Sequence, residues 1–321
     1  MKYKACGESG LQLPLISLGL WHNFGEVDDR TEATKMILEA FDQGITHFDL
    51  ANNYGPPPGS AELNFGQIIN THLKHHRDEL IISSKAGYPM WNGPYGNGGS
   101  RKYLMASIDQ SLSRTCLDYF DIFYSHRYDA ETPLEETVQA LIDIVRQGKA
   151  IYAGISNYPA DKAQQAYALM KAQHVRCLIY QGKYSLLFRE PETEIIPANS
   201  NAGVGYIVFS PLAQGLLTDK YLNGIPENSR AAKEHGFLQL SQITPDVIAT
   251  VSTLNELAKL RRQTLAEMSL AWLLNKKEVT SVIVGTSSVS QLLNNINCLN
   301  NIHFSDEELK IIESITTKHL L

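Results

Sequence analysis

The chain has 321 residues, 43% hydrophobic and 19% charged, which is ordinary for a globular protein and enough for one large or two small domains. A net charge of −6 with no Lys/Arg-rich run argues against a general nucleic-acid or polyanion binder. Four cysteines without CxxC or CxH spacing argue against a disulfide framework or zinc site, and no apolar run has signal-peptide or membrane-span length, so a soluble, cytoplasmic protein is expected.

In chain order, residues 2–16 predict a β-hairpin around the turn-forming Gly7-Glu8-Ser9-Gly10. Strands and helices then alternate. Strand 17–20 precedes helix 31–43, and strand 44–49 precedes a helix starting at Ser60, a suitable N-cap. Strand 80–84 ends at Lys85 and leads into a Gly-, Pro- and aromatic-rich loop from Ala86 to Ser100, of a length that is more often functional than decorative. Further strands are expected at 119–124, 151–156, 177–181, 206–210 and 281–285. Helices are expected at 101–113, 133–146, 159–173, 192–199, 246–261, 265–275 and 289–299, and a last helix is capped at Ser305. Eight strand–helix units with near-continuous apolar strands predict a single (β/α)8 TIM barrel spanning residues 1–321, its bottom closed by the hairpin. A doubly wound sheet is the second choice, but no GxGxxG follows the first strand.

In a barrel, Asp49, Lys85 and His126 stand at the carboxyl ends of neighbouring strands, with Tyr54 in the loop above Asp49. A carbonyl oxygen gaining negative charge needs a proton donor and a second donor to hold it. Tyr54 fits the first role and His126 the second; Lys85 is expected to lower the phenol's pKa, with Asp49 keeping the lysine charged. Two other chemistries stay open. Lys85 as a Schiff-base nucleophile would make an aldolase, and His47 with Asp49 on one strand face would start a metal site, though no second histidine has ligand spacing.

These residues, in Gly44-Ile45-Thr46-His47-Phe48-Asp49, Asn53-Tyr54-Gly55, Ser84-Lys85 and Tyr124-Ser125-His126-Arg127, resemble the aldo-keto reductase superfamily. The likeness continues through Gly154-Ile155-Ser156-Asn157, Gln181 and Ser210-Pro211-Leu212-Ala213-Gln214-Gly215. Runs such as Gly19 to Gly25 and Tyr54 to Glu62 resemble the bacterial reductases of L-glyceraldehyde 3-phosphate and methylglyoxal. The resemblance implies an NADPH-dependent oxidoreductase of small aldehydes, with Tyr54, Lys85, Asp49 and His126 catalytic. It implies that Ser156, Asn157 and Gln181 hold the nicotinamide amide, with Asp49 and Trp21 also lining the cofactor and Tyr184 stacking on its ring. Ser210, Leu212, Gly215, Gly285, Ser287, Gln291, Asn294 and Asn295 then meet the pyrophosphate and adenosine, and Lys220 and Arg230 the 2′-phosphate. Trp21, Tyr54, Tyr88, Trp91 and His126 are expected to line the substrate pocket, with Arg127 and Arg101 available to a substrate phosphate. A homo-oligomer is expected from relatives. Potassium channel β-subunits share most of this pattern but carry asparagine in place of His126, so the alternative is a redox-sensing NADP-binding regulator.

Overall fold

Strands with apolar side chains on both faces must be covered on both faces. The computed structural model, which describes residues 1–222, 224–225 and 238–316, closes them into a barrel. Strands β1 (Tyr3–Ala5) and β2 (Gln12–Pro14) form the antiparallel hairpin. The barrel strands are β3 (Ile16–Gly19), β4 (His47–Asp49), β5 (Ile81–Ala86), β6 (Phe120–Ser125), β7 (Ala150–Ser156), β8 (Cys177–Lys183), β9 (Gly205–Phe209) and β10 (Val279–Val284). All pair in parallel, and β10 closes on β3. Around them lie α1 (Arg30–Asp42), α2 (Ser60–His72), α3 (Arg101–Thr115), α4 (Leu134–Arg146), α5 (Ala160–Ala172), α6 (Ile195–Ala202), α7 (Pro245–Leu260), α8 (Leu265–Asn275), α9 (Val289–Ile296) and α10 (Asp306–Thr316). Among the described residues no helix is long and apolar enough to cross a membrane.

The hairpin sits under the amino ends of the strands. Lys4 Nζ donates to the carbonyls of Lys276 (3.2 Å) and Val279 (2.7 Å) where β10 begins, and Cys6 and Leu13 are buried with Ile122, Ile179 and Ile207 of the barrel interior. The other end of the barrel is therefore left for a site.

Most elements lie within a few residues of their expected bounds. One cap differs. Gly59, at φ 90°, caps α2, a conformation glycine adopts without steric cost, and Ser60 is the first helical residue, donating to the Pro57 carbonyl at 2.7 Å. Lys74–Glu79 forms a 3-10 helix where the sequence suggests only a connection. Ser305 caps α10 as expected: its Oγ accepts from Glu308 N (3.2 Å) while Glu308 Oε2 accepts from its own N–H (2.7 Å).

Side chains alternate along each strand, so one parity fills the interior. On β10, β3, β4 and β5 that row is polar (Ser281, Ser17, His47, Ser83); on β6, β8 and β9 it is apolar (Ile122, Tyr124, Ile179, Ile207), and all eight residues are buried.

Candidate active site

The inward row, followed to the carboxyl ends of the strands, brings the site together. Asp49, Lys85, Ser156, Gln181 and Phe209 lie within the last three residues of β4, β5, β7, β8 and β9, and His126 follows β6 directly. Tyr54 comes from the loop after β4. Its N–H donates to the Ala51 carbonyl (3.1 Å), and its carbonyl accepts from Gly59 (3.0 Å) and Ala61 (3.3 Å). Gly55 permits this turn, because a Cβ there would collide with the Pro57 carbonyl.

A buried ion pair lies at the centre. Lys85, wholly inaccessible, donates to Asp49 Oδ2 at 2.6 Å and to the Leu50 carbonyl at 2.5 Å, and its Nζ stands 5.1 Å from the centre of the Tyr54 ring. Asp49 Oδ1 accepts from Ser83 Oγ (2.7 Å) and Gln181 Nε2 (3.1 Å). A charge pair this deep is tolerable only because its donors and acceptors are so fully matched. Burial pulls the Lys85 pKa down and the Asp49 carboxylate opposes it.

Here the expectation for Tyr54 needs correction. Burial first, and then the Asp49 charge, push its phenol well above its ordinary value. Lys85 cannot reverse this, since its ammonium is already neutralised by Asp49 at 2.6 Å. Tyr54 therefore rests as a fully protonated phenol.

His126 is held well below the ordinary imidazole range, mainly by burial and further by the Lys85 and Arg127 charges. It is neutral, and its buried Nδ1 has no hydrogen-bond partner among the described residues. Its ring lies 6.0 Å from that of Tyr54 and 4.7 Å, edge-on, from that of Tyr88; Trp21 is 6.1 Å from Tyr54. Trp91 instead packs edge-on against Tyr103 at 5.3 Å. Tyr103 OH accepts from Asn52 Nδ2 (2.9 Å) and donates to the Tyr88 carbonyl (2.7 Å), which braces the loop after β5. Arg101 is tied to Asp143 (2.5 Å) on the outer face. Arg127 donates to the Gly87 carbonyl (3.0 Å) and Asn97 Oδ1 (3.1 Å), both neutral acceptors, and its charge also acts on Asp129.

On the neighbouring strand ends, Asn157 Nδ2 donates to the His126 carbonyl (3.2 Å) and Ser156 Oγ (3.1 Å). Tyr184 does not face the mouth. It has the opposite parity to Gln181 and is fully buried, donating to Glu192 (2.5 Å) with its ring 5.4 Å from that of Trp272. The partly exposed aromatic at this place is Phe209, whose parity matches that of Ile207 and whose ring packs against the interior cluster. That parity was the signal in the sequence.

Toward β10 the groups are open. Ser210, Leu212 and Gly215 are partly exposed, and Lys220 and Gly285 are exposed; a Cβ on Gly285 would meet none of the described residues within 4 Å. Ser287 N and Oγ donate to Gln291 Oε1 (2.8 and 3.0 Å) at the start of α9. Asn294 is exposed, whereas Asn295 is buried with no partner for Nδ2 among the described residues. Arg230 lies outside the described residues. His47, the residue open to a metal reading, has both ring nitrogens on serines instead: Nδ1 with Ser17 Oγ (2.9 Å) and Nε2 with Ser83 Oγ (3.0 Å).

Comparison with known proteins agrees with this geometry. Residues 15–317 match the Aldo/keto reductase family. A protein of Escherichia coli O157:H7 named L-glyceraldehyde 3-phosphate reductase is 53% identical over 319 residues, covering 98% of this chain and 92% of its own length. Its counterpart in Escherichia coli (strain K12) is 52% identical over the same span. A protein of Arabidopsis thaliana named as a probable voltage-gated potassium channel subunit beta is 37% identical over 302 residues, covering 92% of this chain and 90% of its own. A match across the whole barrel, with two reductases above half identity, leaves one reading of that mouth: the chain is an oxidoreductase and belongs to the aldo/keto reductase family.

Proposed function

We propose that the protein reduces small polar aldehydes, glyceraldehyde 3-phosphate and methylglyoxal foremost, with NADPH as reductant. The observation that carries this reading is the Tyr54 phenol standing over the buried Lys85–Asp49 pair, with the His126 ring beside it. A bound nicotinamide supplies the hydride, from its C4. The side chains do the rest. His126 offers an N–H to the carbonyl oxygen and fixes its direction, as a donor aimed at developing charge should. Tyr54 delivers its proton to that oxygen, leaving a phenolate whose ring stands 5.1 Å from Lys85 Nζ. Trp21 and Tyr88 wall the reacting atoms from water.

The dinucleotide is assigned to the rest of the mouth. Ser156, Asn157 and Gln181 hold the amide, and Phe209 takes the stacking role expected of Tyr184. Ser210, Leu212 and Gly215 meet the pyrophosphate. The open Gly285, Ser287, Gln291 and the unpartnered Asn295 amide suit the adenosine, with Asn294 at its edge. The exposed Lys220, with Arg230, favours NADPH over NADH, since a 2′-phosphate adds about two negative charges. Arg127 rather than Arg101 is available to a substrate phosphate, because Arg101 is paired with Asp143.

The names of the reductase relatives support the substrate class. The imidazole of His126 weighs against a purely regulatory role. The test is a panel of carbonyls with NADPH and NADH. Oxidation of NADPH is expected with both small aldehydes, at higher kcat/KM than with any bulky apolar ketone. A higher value for a bulky ketone, or no turnover of any aldehyde, would overturn the reading.

A further inference from the structure

Beneath the site, five polar side chains cross the barrel interior in one unbroken row, and the hydrogen-bond rules fix the direction of every proton in it. Asp49 is an acceptor only when ionised, so the Ser83 hydroxyl must give its single proton to Asp49 Oδ1 at 2.7 Å. Ser83 Oγ can then only accept from His47 Nε2, 3.0 Å away, so that nitrogen carries the hydrogen. His47 is wholly buried, and burial holds its pKa down to about 4; near neutrality its Nδ1 is bare. Nδ1 therefore accepts from Ser17 Oγ at 2.9 Å, so at 2.7 Å Ser17 in turn accepts from Ser281 Oγ, whose other acceptor, the Leu15 carbonyl, lies farther off at 3.3 Å. Ser281, Ser17, His47 and Ser83 are each fully inaccessible and come from β10, β3, β4 and β5. Every donor points toward Asp49.

We propose that His47, as the Nε2–H tautomer, is a positioning residue for the reduction: through Ser83 it fixes the Asp49 carboxylate and so holds Lys85 beneath Tyr54. This inference rests on the catalytic roles proposed above for Asp49, Lys85 and Tyr54. Among the described residues Asp49 has only two other side-chain donors, Lys85 on Oδ2 and Gln181 on Oδ1 at 3.1 Å. Ser83 is thus its shortest neutral contact, and a serine with a free rotor could turn away. His47 removes that freedom by occupying the acceptor side of Ser83. Aligned hydrogen bonds in a dry interior also polarise one another, strengthening the last of them.

The test pairs a spectroscopic reading with kinetics. In 15N-histidine enzyme at neutral pH, His47 should give the shifts of a neutral ring protonated at Nε2. A ring protonated at Nδ1 would reverse the chain and overturn the proposal, whatever the activity. His47→Leu should lower kcat about tenfold, the scale of one oriented charge-assisted hydrogen bond, with KM and the dissociation constant of NADPH nearly unchanged. His47→Gln, whose amide places an N–H near the Nε2 position, should recover most of that loss. A role in packing alone predicts the reverse: thermal stability would fall while kcat of the folded fraction stayed at the wild-type value, and Gln would do no better than Leu. If His47→Leu does not fold, Ser83→Ala serves, with the same tenfold fall in kcat expected and a wild-type kcat against the idea. A loss of activity in Tyr54→Phe with an Nδ1–H His47 would spare the proposed chemistry and defeat only the positioning role.

Discussion

At the ends of β4 and β5 the charges of Asp49 and Lys85 are already committed, whereas along the β9–β10 edge polar groups such as Lys220, Ser287 and Gln291 are open or bonded to near neighbours. Lys85 and Asp49 are sealed from solvent and matched to each other within 2.6 Å. Lys220, by contrast, is exposed, with no carboxylate in ion-pair range among the described residues, and Ser287 and Gln291 satisfy one another until something displaces them. The difference follows from what each end must do. Chemistry needs dipoles that do not reorganise during reaction, and low dielectric makes them effective. Binding a dinucleotide needs donors that can be reached and given up cheaply.

The largest effect expected from breaking this contrast is at its buried end. Lys85→Met leaves the Asp49 carboxyl group buried without its partner, so unfolding free energy should fall by about 3–5 kcal/mol in denaturant titrations, alongside a loss of turnover. A stability change under about 1 kcal/mol would mean that the pair is not the matched unit its geometry suggests.

Acid comes next. The unfolded chain binds a proton at His47 below pH 6.5, whereas burial makes the folded chain refuse it until about 4. The unfolded state then holds more protons in that window, so stability falls as pH drops from 6.5 toward 4, by roughly 3 kcal/mol in all from this residue. His126 is depressed in the same direction and adds to the slope. Urea midpoints measured at steps across the window check it; in His47→Gln the slope should be visibly shallower. For the same reason the pH profile of kcat/KM should show no ionisation near the ordinary histidine value.

At the open end the effect is smaller and selective. Lys220→Ala should weaken NADPH by about 1.5 kcal/mol and NADH by much less, as expected for one exposed charge-assisted contact to a phosphate. Titration by tryptophan fluorescence quenching separates the two cofactors. Equal losses would mean that this cation does not read the 2′-phosphate.

Much of this was legible in the chain because the signals are local. Apolar runs ending in Asp49 and Lys85, and one ending two residues before His126, announce both the strands and the rim they reach. What was hidden depends on the side of the strand on which a residue falls. Tyr184 lies three residues after Gln181 and so turns away from the mouth, while Phe209, two after Ile207, faces it. The field at Tyr54 was misjudged for a related reason: the lysine and its Asp49 partner were visible, but the burial that pushes the phenol up exists only in three dimensions. His47, read as a lone histidine, gains its meaning from serines that lie thirty or more residues away in the chain.

The proton from Tyr54 is the step on which the proposed chemistry turns, and one substitution addresses it. Tyr54→Phe keeps the ring beside Trp21 and His126 and removes only the hydroxyl. Steady-state reduction of glyceraldehyde 3-phosphate, with NADPH affinity measured on the same preparation, should show kcat lower by about 10² or more and affinity nearly unchanged. A Tyr54→Phe enzyme that binds NADPH normally and keeps more than half of the wild-type kcat would contradict it.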